Sequence, residues 1–181
     1  MSQLKPDVGP SDHAQGPLDA PLVLVEYGDF QCPYCGEQYP EIKAVQEALG
    51  QDLCFVFRHF PLAEAHPHAE HAAELTEAAD TIGKFWEMHD RLYEHQNALD
   101  DQSLAGHAKA LALDDALFQT VLDEEYEGRV RHDFLTGVRS GVNGTPCLFI
   151  NGERYDGPRD AASLIELLQA MLTLERQQGR E

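Results

Sequence analysis

Residues 22–36 read Leu-Val-Leu-Val-Glu-Tyr-Gly-Asp-Phe-Gln-Cys-Pro-Tyr-Cys-Gly, and the fold is decided there. Leu22 to Tyr27 is a short apolar run, β-branched at Val23 and Val25, with Glu26 set inside it. Such a run reads as a buried strand. Gly28-Asp29 ends it. A helix then opens near Cys32, because Pro33 suits the first helical position, where a missing N–H costs nothing. Ile42, Val45 and Leu49 recur at helical spacing, and Gly50 supplies a C-terminal stop. Leu53 to Phe57 forms a second strand, ended before Pro61. The chain therefore opens β-α-β, with Cys32-Pro33-Tyr34-Cys35 at the strand-to-helix junction.

Upstream, residues 1–20 are rich in Pro, Gly and Asp and read as an extended leading segment. Downstream, from about residue 66 to 140, one helical stripe follows another. Ala69, Ala72, Ala73 and Thr76 share a face closed by Gly83; Phe85, Met88, His89 and Leu92 share the next; Leu104, Ala108 and Leu111 form a third. Asp114 reads as an N-cap ahead of Leu117 and Val121, and Val130, Phe134 and Val138 mark one more helix. Strand character returns at Cys147 to Ile150. The following Asn151-Gly152 is a hairpin signal leading to a short partner strand, Glu153-Arg154-Tyr155. A last helix starts near Asp160, with Leu164, Leu168, Met171 and Glu175 in register and Leu167, Leu172 and Leu174 broadening its apolar face. The expected architecture is α/β: a sheet flanked by helices, its first half in residues 1–65 and its second in 141–181, with an all-helical insertion at 66–140.

The chain has 181 residues, 13 Lys+Arg against 32 Asp+Glu, a formal net charge of −19 and four cysteines. At this length a hydrophobic core suffices without a disulfide framework. The acidity argues against nucleic acid and against an anionic membrane surface as partners. Residues 61–130 hold 16 acids and 4 bases, so most of the net charge sits on the helical block. Amphipathic helices with a solvated polar face account for this. No stretch approaches the roughly 18 apolar residues that would span a bilayer. Met1 to Gly16 carries one Lys and no apolar run, so no signal peptide is read and the expected location is cytoplasmic.

The chemistry concentrates on the two junction cysteines. Unpaired backbone N–H groups and the positive end of the helix dipole both stabilise a thiolate at Cys32. Its pKa is expected in the range of about 3.5–7.5, against about 8.5 for a free thiol. Cys35 lies one turn deeper, within disulfide reach, and reads as the protonated resolving thiol that attacks a mixed disulfide formed by Cys32. A zinc site is the competing reading of CxxC, but no second CxxC exists and Cys54 and Cys147 stand alone. Those two are expected to pack as small hydrophobes.

On the residues alone, Glu26 fits the core and the solvent face equally well. If buried, it would have a raised pKa and could exchange a proton with Cys35. Arg58 could pair with it or lie exposed. Gly144-Thr145-Pro146 precedes the third strand, where a proline is tolerated; the base rate of about 5–6% cis favours a trans bond there. His66, His68 and His71, with His59 just upstream, lack a carboxylate-bearing motif or a spaced second pair, so no metal site is expected. Trp86 and Tyr93 read as core or groove wall.

Taken together, Val25-Glu26-Tyr27-Gly28-Asp29-Phe30-Gln31-Cys32-Pro33-Tyr34-Cys35-Gly36, Phe57-Arg58-His59-Phe60-Pro61-Leu62, Phe85-Trp86-Glu87-Met88-His89-Asp90 and Gly141-Val142-Asn143-Gly144-Thr145-Pro146 with Phe149-Ile150-Asn151-Gly152 resemble the DsbA-like thioredoxin-fold family of thiol–disulfide oxidoreductases. The resemblance spans roughly residues 11 to 175 and implies a thioredoxin fold, a central mixed sheet with flanking helices and a helical insertion. It implies that Pro146 is cis and packs beside the cysteine pair, with the backbone of Thr145 pairing with substrate. It also implies that Glu26 is the buried acidic residue of the family. One departure is Cys147, which follows Pro146 where the family usually carries Thr or an apolar residue.

The function expected is a disulfide oxidoreductase with Cys32 and Cys35 catalytic, supported by Glu26, Pro33, Tyr34, Thr145 and Pro146, and with no cofactor. Expected partners are protein or small-molecule thiols and disulfides, among them glutathione or a thioredoxin-type reductant. The oligomeric state is not legible. An acidic protein-binding module on the same fold is an alternative. A glutathione-dependent transferase or isomerase ranks lower, since such relatives tend to replace the CxxC.

Overall fold

The structure, a computed structural model, describes residues 2–178, with the side chain of Gln178 left out. The 1–65 and 141–181 halves thus run beyond the described residues at Met1 and at 179–181. The elements in chain order are β1 (His13–Gln15), β2 (Leu22–Gly28), α1 (Pro33–Leu49), β3 (Leu53–His59), α2 (Ala69–Asp80), α3 (Phe85–Glu94), α4 (Asp101–Ala110), α5 (Asp115–Leu122), α6 (Glu127–Arg139), β4 (Cys147–Ile150), β5 (Glu153–Tyr155) and α7 (Ala161–Gln178). The strands form one mixed sheet in the order β1-β3-β2-β4-β5. Only β2 and β3 run parallel. That pair is the β-α-β opening, joined through α1.

The alternation of side chains along the strands divides the core into two layers. Leu22 and Leu24 of β2, Phe55 and Phe57 of β3 and Leu148 and Ile150 of β4 face α1, α3 and α7 together with Cys32 and Cys35. Val25, Tyr27, Cys54, Val56, Cys147 and Phe149 face the other way, against Leu4, Phe60 and Val142, with Phe134 of α6 packed on them. Cys54 and Cys147 therefore lie across the sheet from Cys32 and Cys35 and pack in the core. Three helices carry aspartate at the N-terminal cap position. Asp100 and Asp114 accept from the backbone N–H groups of Ser103 and Leu117, and Asp160 accepts from that of Ser163. Each satisfies a donor that the helix geometry leaves free.

Several expectations need correction. The leading segment contains a strand, β1, paired antiparallel to β3 through His13↔Phe57, Ala14↔Val56 and Gln15↔Phe55. Three half-buried residues are too few for a period-2 signal, so only the tertiary pairing makes this strand. Lys5–Pro6 is a second cis bond beside the expected Thr145–Pro146. Val138 and Leu174, assigned to apolar stripes, are 52% and 58% exposed: they lie on the outer faces of α6 and α7, while Thr136 and Leu172 in the same turns are buried. In the acidic helical block, Glu74 and Glu77 are buried rather than solvated. Arg58 is buried too, but its partners are Asp12, the Tyr27 hydroxyl and the Pro6 and Asp7 carbonyls, not Glu26.

Candidate active site

Cys32 occupies the cap position of α1 in an extended conformation, with no side-chain cap and Pro33 following. The backbone N–H of Cys35 and of Gly36 both turn back to the Cys32 carbonyl, each at 3.1 Å. The sulfur is thereby set over the free end of the helix. As a thiol it donates to the Thr145 carbonyl at 3.4 Å, across the cis Thr145–Pro146 bond. The Thr145 hydroxyl has no partner among the described residues and is buried. It is the natural donor to the thiolate form.

The Cys32 pKa is held down to about 5. The Cys35 thiol, which hydrogen-bonds to the thiolate, contributes most; the Thr145 side chain and the N–H groups of Cys35 and Tyr34 add to it, all against burial, which pushes the other way. Cys35 is 0% exposed, and its pKa lies well above the usual thiol range through burial first and its bond to Cys32 second. The two sulfurs are therefore unlike: Cys32, itself only 3% exposed, holds the thiolate at the helix end, and Cys35 keeps its proton beneath it. Pro33 and Tyr34 are exposed, Tyr34 by 64%.

Glu26 is buried, at 3% exposed. In the sheet register it stands opposite Phe57 on one side and Leu148 on the other. Both belong to the layer that holds the cysteines, so the carboxyl lies on their side of the sheet. One carboxyl oxygen has no hydrogen-bond partner. Burial raises the pKa to about 8, with the Cys32 charge adding to the rise and Arg159 opposing it. The equal choice left open by the residues is resolved in favour of the core.

Four further residues shape the centre, and sequence reading assigned none of them to it. Asp29, fully buried, accepts through Oδ1 from the N–H groups of Gln31 and Cys32 and through Oδ2 from the N–H of Leu62 and from His66. It ties the turn before Cys32 to the segment leading into α2. Gln96, just past α3, donates from Nε2 to the Phe30 and Cys32 carbonyls at 2.8 and 2.9 Å. A Cβ at Gly36 would run into the oxygen of this amide, so a side chain there displaces Gln96 from the two carbonyls. The buried Tyr93 hydroxyl lacks a partner. A Cβ on Gly28 would sit 2.8 Å from it and inside the Phe57 ring. Burial pushes the Tyr93 pKa well above the usual phenol range, with Cys35 and Glu26 next among the causes, which places the hydroxyl in the same pocket. Arg159 donates to the Pro146 carbonyl at 3.0 Å and braces the loop from behind.

The histidines around residues 59–71 go to separate partners. His66 binds Asp29 and His71 binds Asp101. His59, at the end of β3, meets Glu77 of α2 and shares it with His13 of β1.

A thioredoxin family model matches residues 9–170. Among solved structures, BdbD from Bacillus subtilis in its oxidised form superposes with a TM-score of 0.80 at 22% identity, covering 90% of this chain and 93% of that one. The alpha-DsbA1 protein of Wolbachia pipientis gives 0.77 at 19% identity, covering 91% and 92%. The catalytic domain of Proteus mirabilis ScsC gives 0.73 at 22%, covering 94% and 93%. At these identities the likeness is one of fold. Two curated relatives are closer in sequence. A protein of Mycolicibacterium vanbaalenii named Na(+)/H(+) antiporter NhaA 1 is 45% identical over 173 residues, 94% of this chain and 28% of that protein. One of Herminiimonas arsenicoxydans named Na(+)/H(+) antiporter NhaA is 40% identical over 169 residues, 92% and 27%. The chain thus spans little more than a quarter of the curated relatives it matches.

Proposed function

Because this chain belongs to the thioredoxin family, with the fold of the DsbA-like proteins, we propose that it is a thiol–disulfide oxidoreductase working through Cys32 and Cys35 on protein or small-molecule substrates. The observation that carries the reading is the asymmetry of the pair. A thiolate with a pKa of about 5 stands at a helix N-terminus over a buried thiol whose pKa is raised.

In the reducing direction the Cys32 thiolate attacks one sulfur of a substrate disulfide. That S–S bond breaks, the displaced sulfur leaves as a thiolate, and Cys32 holds the other in a mixed disulfide. Cys35 then loses its proton and attacks the Cys32 sulfur. The substrate leaves as a second thiolate, and a Cys32–Cys35 disulfide has formed at the expense of two electrons passed to the substrate. Glu26 is the base within reach of Cys35. Its pKa of about 8 is partly due to the Cys32 charge. The mixed disulfide removes that charge, which lowers the Glu26 pKa at the step that needs a carboxylate. Oxidation of substrate thiols is the same path reversed. Stabilising the Cys32 thiolate favours the reduced pair, which makes the disulfide form the better electron acceptor.

The antiporter relatives do not extend this reading to ion transport. Among the described residues no helix is long and apolar enough to cross a membrane, and the shared quarter of those proteins is, on this proposal, a redox module.

The test is a trapping experiment. Cys35→Ala is expected to accumulate mixed disulfides with thiol-bearing substrates, and Cys32→Ala to accumulate none. Equal trapping by both variants, or no disulfide-exchange turnover with the dithiol intact, overturns the assignment. In that second outcome the acidic binding module gains. It is favoured by a groove of about 600 Å³ between residues 61–65, α2 and α6, floored by Leu62, Val130 and Phe134 and edged by Glu64, Glu70 and Glu127. Its charge suits a basic, partly apolar partner segment.

A further inference from the structure

We propose that His13, His59 and Glu77 form a binding site for one divalent transition-metal ion of the zinc type, clipping the edge strand β1 and the end of β3 to α2. The three come from separate elements, and their ligand atoms all lie within 4.8 Å of one another. Nε2 of His13 and Nε2 of His59 converge on the same carboxylate oxygen, Glu77 Oε1, at 2.8 and 2.7 Å. Two imidazoles and one carboxylate are the three-ligand set that zinc takes when a water completes a tetrahedron, with metal–ligand bonds of about 2.0–2.2 Å. Ligand atoms around such an ion stand roughly 3.3 Å apart. The two contacts to Glu77 therefore need to open by only about half an ångström each, and the two imidazole nitrogens already lie within 4.8 Å of each other.

The surroundings suit an ion better than a plain hydrogen-bond cluster. With neutral rings, both contacts to Oε1 put the proton on Nε2 and leave Nδ1 of His59 a bare acceptor, and that atom is buried without a partner. The His59 ring is packed among aromatics, with centroids 5.5 Å from Phe57 at 82° and 6.1 and 6.0 Å from Phe30 and Phe85. A lone pair gains nothing from such rings, whereas an N–H can point at them. Coordination through Nε2 moves each imidazole proton to Nδ1. On His13 that nitrogen sits 3.9 Å from Asp80 Oδ1, a carboxylate placed to take its proton in a hydrogen bond as the ring turns toward the ion. The His13 ring is stacked on Phe85, with centroids 3.6 Å apart and planes 9° from parallel, so its aim is set before the ion arrives. Arg129 approaches the other carboxylate oxygen, Oε2, at 3.9 Å and leaves Oε1 free for the ion.

The Cys32–Cys35 dithiol can itself take zinc, so the experiment uses protein with that pair oxidised. Zinc chloride is titrated in by calorimetry, and cobalt(II) replaces it for visible spectroscopy. One equivalent is expected to bind, with a melting temperature that rises with zinc and falls back on chelation. Cobalt should give the absorption of a tetrahedral nitrogen–oxygen site without a thiolate charge-transfer band. His13→Ala should weaken zinc binding at least tenfold. His13→Gln, which keeps an amide donor for Glu77 but removes the imidazole, should weaken it equally while melting as the metal-free parent does. Absence of saturable binding, or affinities unchanged in both variants, overturns the proposal. Because the readouts are binding and melting, their failure leaves the redox reading standing, and the trapping experiment can fail without touching this site.

Discussion

Replacing Glu26 by glutamine isolates the energetic consequence of burying a carboxyl beside the cysteine pair. In the folded protein this group titrates at about 8, against 4.5 for an ordinary glutamate side chain. Below 4.5 both states carry the proton, and the group contributes no pH dependence. Above it the unfolded chain ionises while the folded chain keeps its proton, so stability is lost as the pH rises, and the loss is complete only above the folded value. At about 1.4 kcal/mol per pH unit, the penalty reaches roughly 3 kcal/mol at about pH 7 and on the order of 5 kcal/mol above both values. Glutamine cannot ionise. Its amide adds a buried donor at a fixed cost of about 1–3 kcal/mol, but that cost does not change with pH. The signature is therefore a difference of differences. Denaturant unfolding of oxidised wild type and Glu26→Gln, with neither active-site thiol able to titrate and the small share of the rise due to the Cys32 charge removed, should show the variant gaining on wild type by up to about 3 kcal/mol between about pH 4 and pH 7. A constant difference across that range would refute the burial argument. With the pair reduced, the same variant should slow the attack of Cys35 on a mixed disulfide by about a hundredfold or more, because the proton acceptor is gone.

Two further outcomes follow from the same structure. The alkylation rate of Cys32 should rise with pH to a midpoint near 5, and a midpoint at or above the ordinary thiol value of about 8.5 would sink the activated-thiol mechanism. Asp12→Ala should destabilise the protein by about 3 kcal/mol or more in urea unfolding, since it strands a buried guanidinium. Arg58 donates to both Asp12 oxygens, at 2.8 and 3.0 Å, and is 2% exposed; a loss under about 1 kcal/mol would mean that its carbonyl and Tyr27 partners suffice.

What could be read from the chain was whatever is written locally. The apolar run of β2, Pro33 at the start of α1 and the Asn151-Gly152 turn each act over a few residues, and each recurs in the structure. The five stripes between residues 66 and 140 appear as the helices α2 to α6. The redox pair was legible for the same reason, as its spacing and its helix-start position are local. β1 was not: His13 to Gln15 has no pattern of its own and exists because β3 offers an edge. Glu26 sat between the two cases. Its place on the strand was plain, but its face depended on which partners flanked the strand.

The polar residues that complete the centre share a different obstacle. Gln96 lies 66 residues from Phe30 and 64 from Cys32, whose carbonyls it binds. Leu62 and His66 reach Asp29 across 33 and 37 residues, and His59 meets Glu77 and His13 only once β1, β3 and α2 are assembled. A glutamine in a loop or a tyrosine on an amphipathic helix carries no mark that distinguishes such a task from packing or solvation. The mark appears in three dimensions as an unmet valence. Glu26 Oε1, the Tyr93 and Thr145 hydroxyls, His59 Nδ1 and His89 Nε2, the last within the aromatic packing of Phe57, Trp86 and Tyr93, are all buried without partners among the described residues. Each orphaned polar group costs about 1–3 kcal/mol, and a fold keeps such atoms where something else uses them. Three of the five surround the two sulfurs, where, on the proposed mechanism, a proton or a thiolate charge comes and goes. The fourth belongs to His59, in the cluster with His13 and Glu77, where an arriving cation is the corresponding visitor.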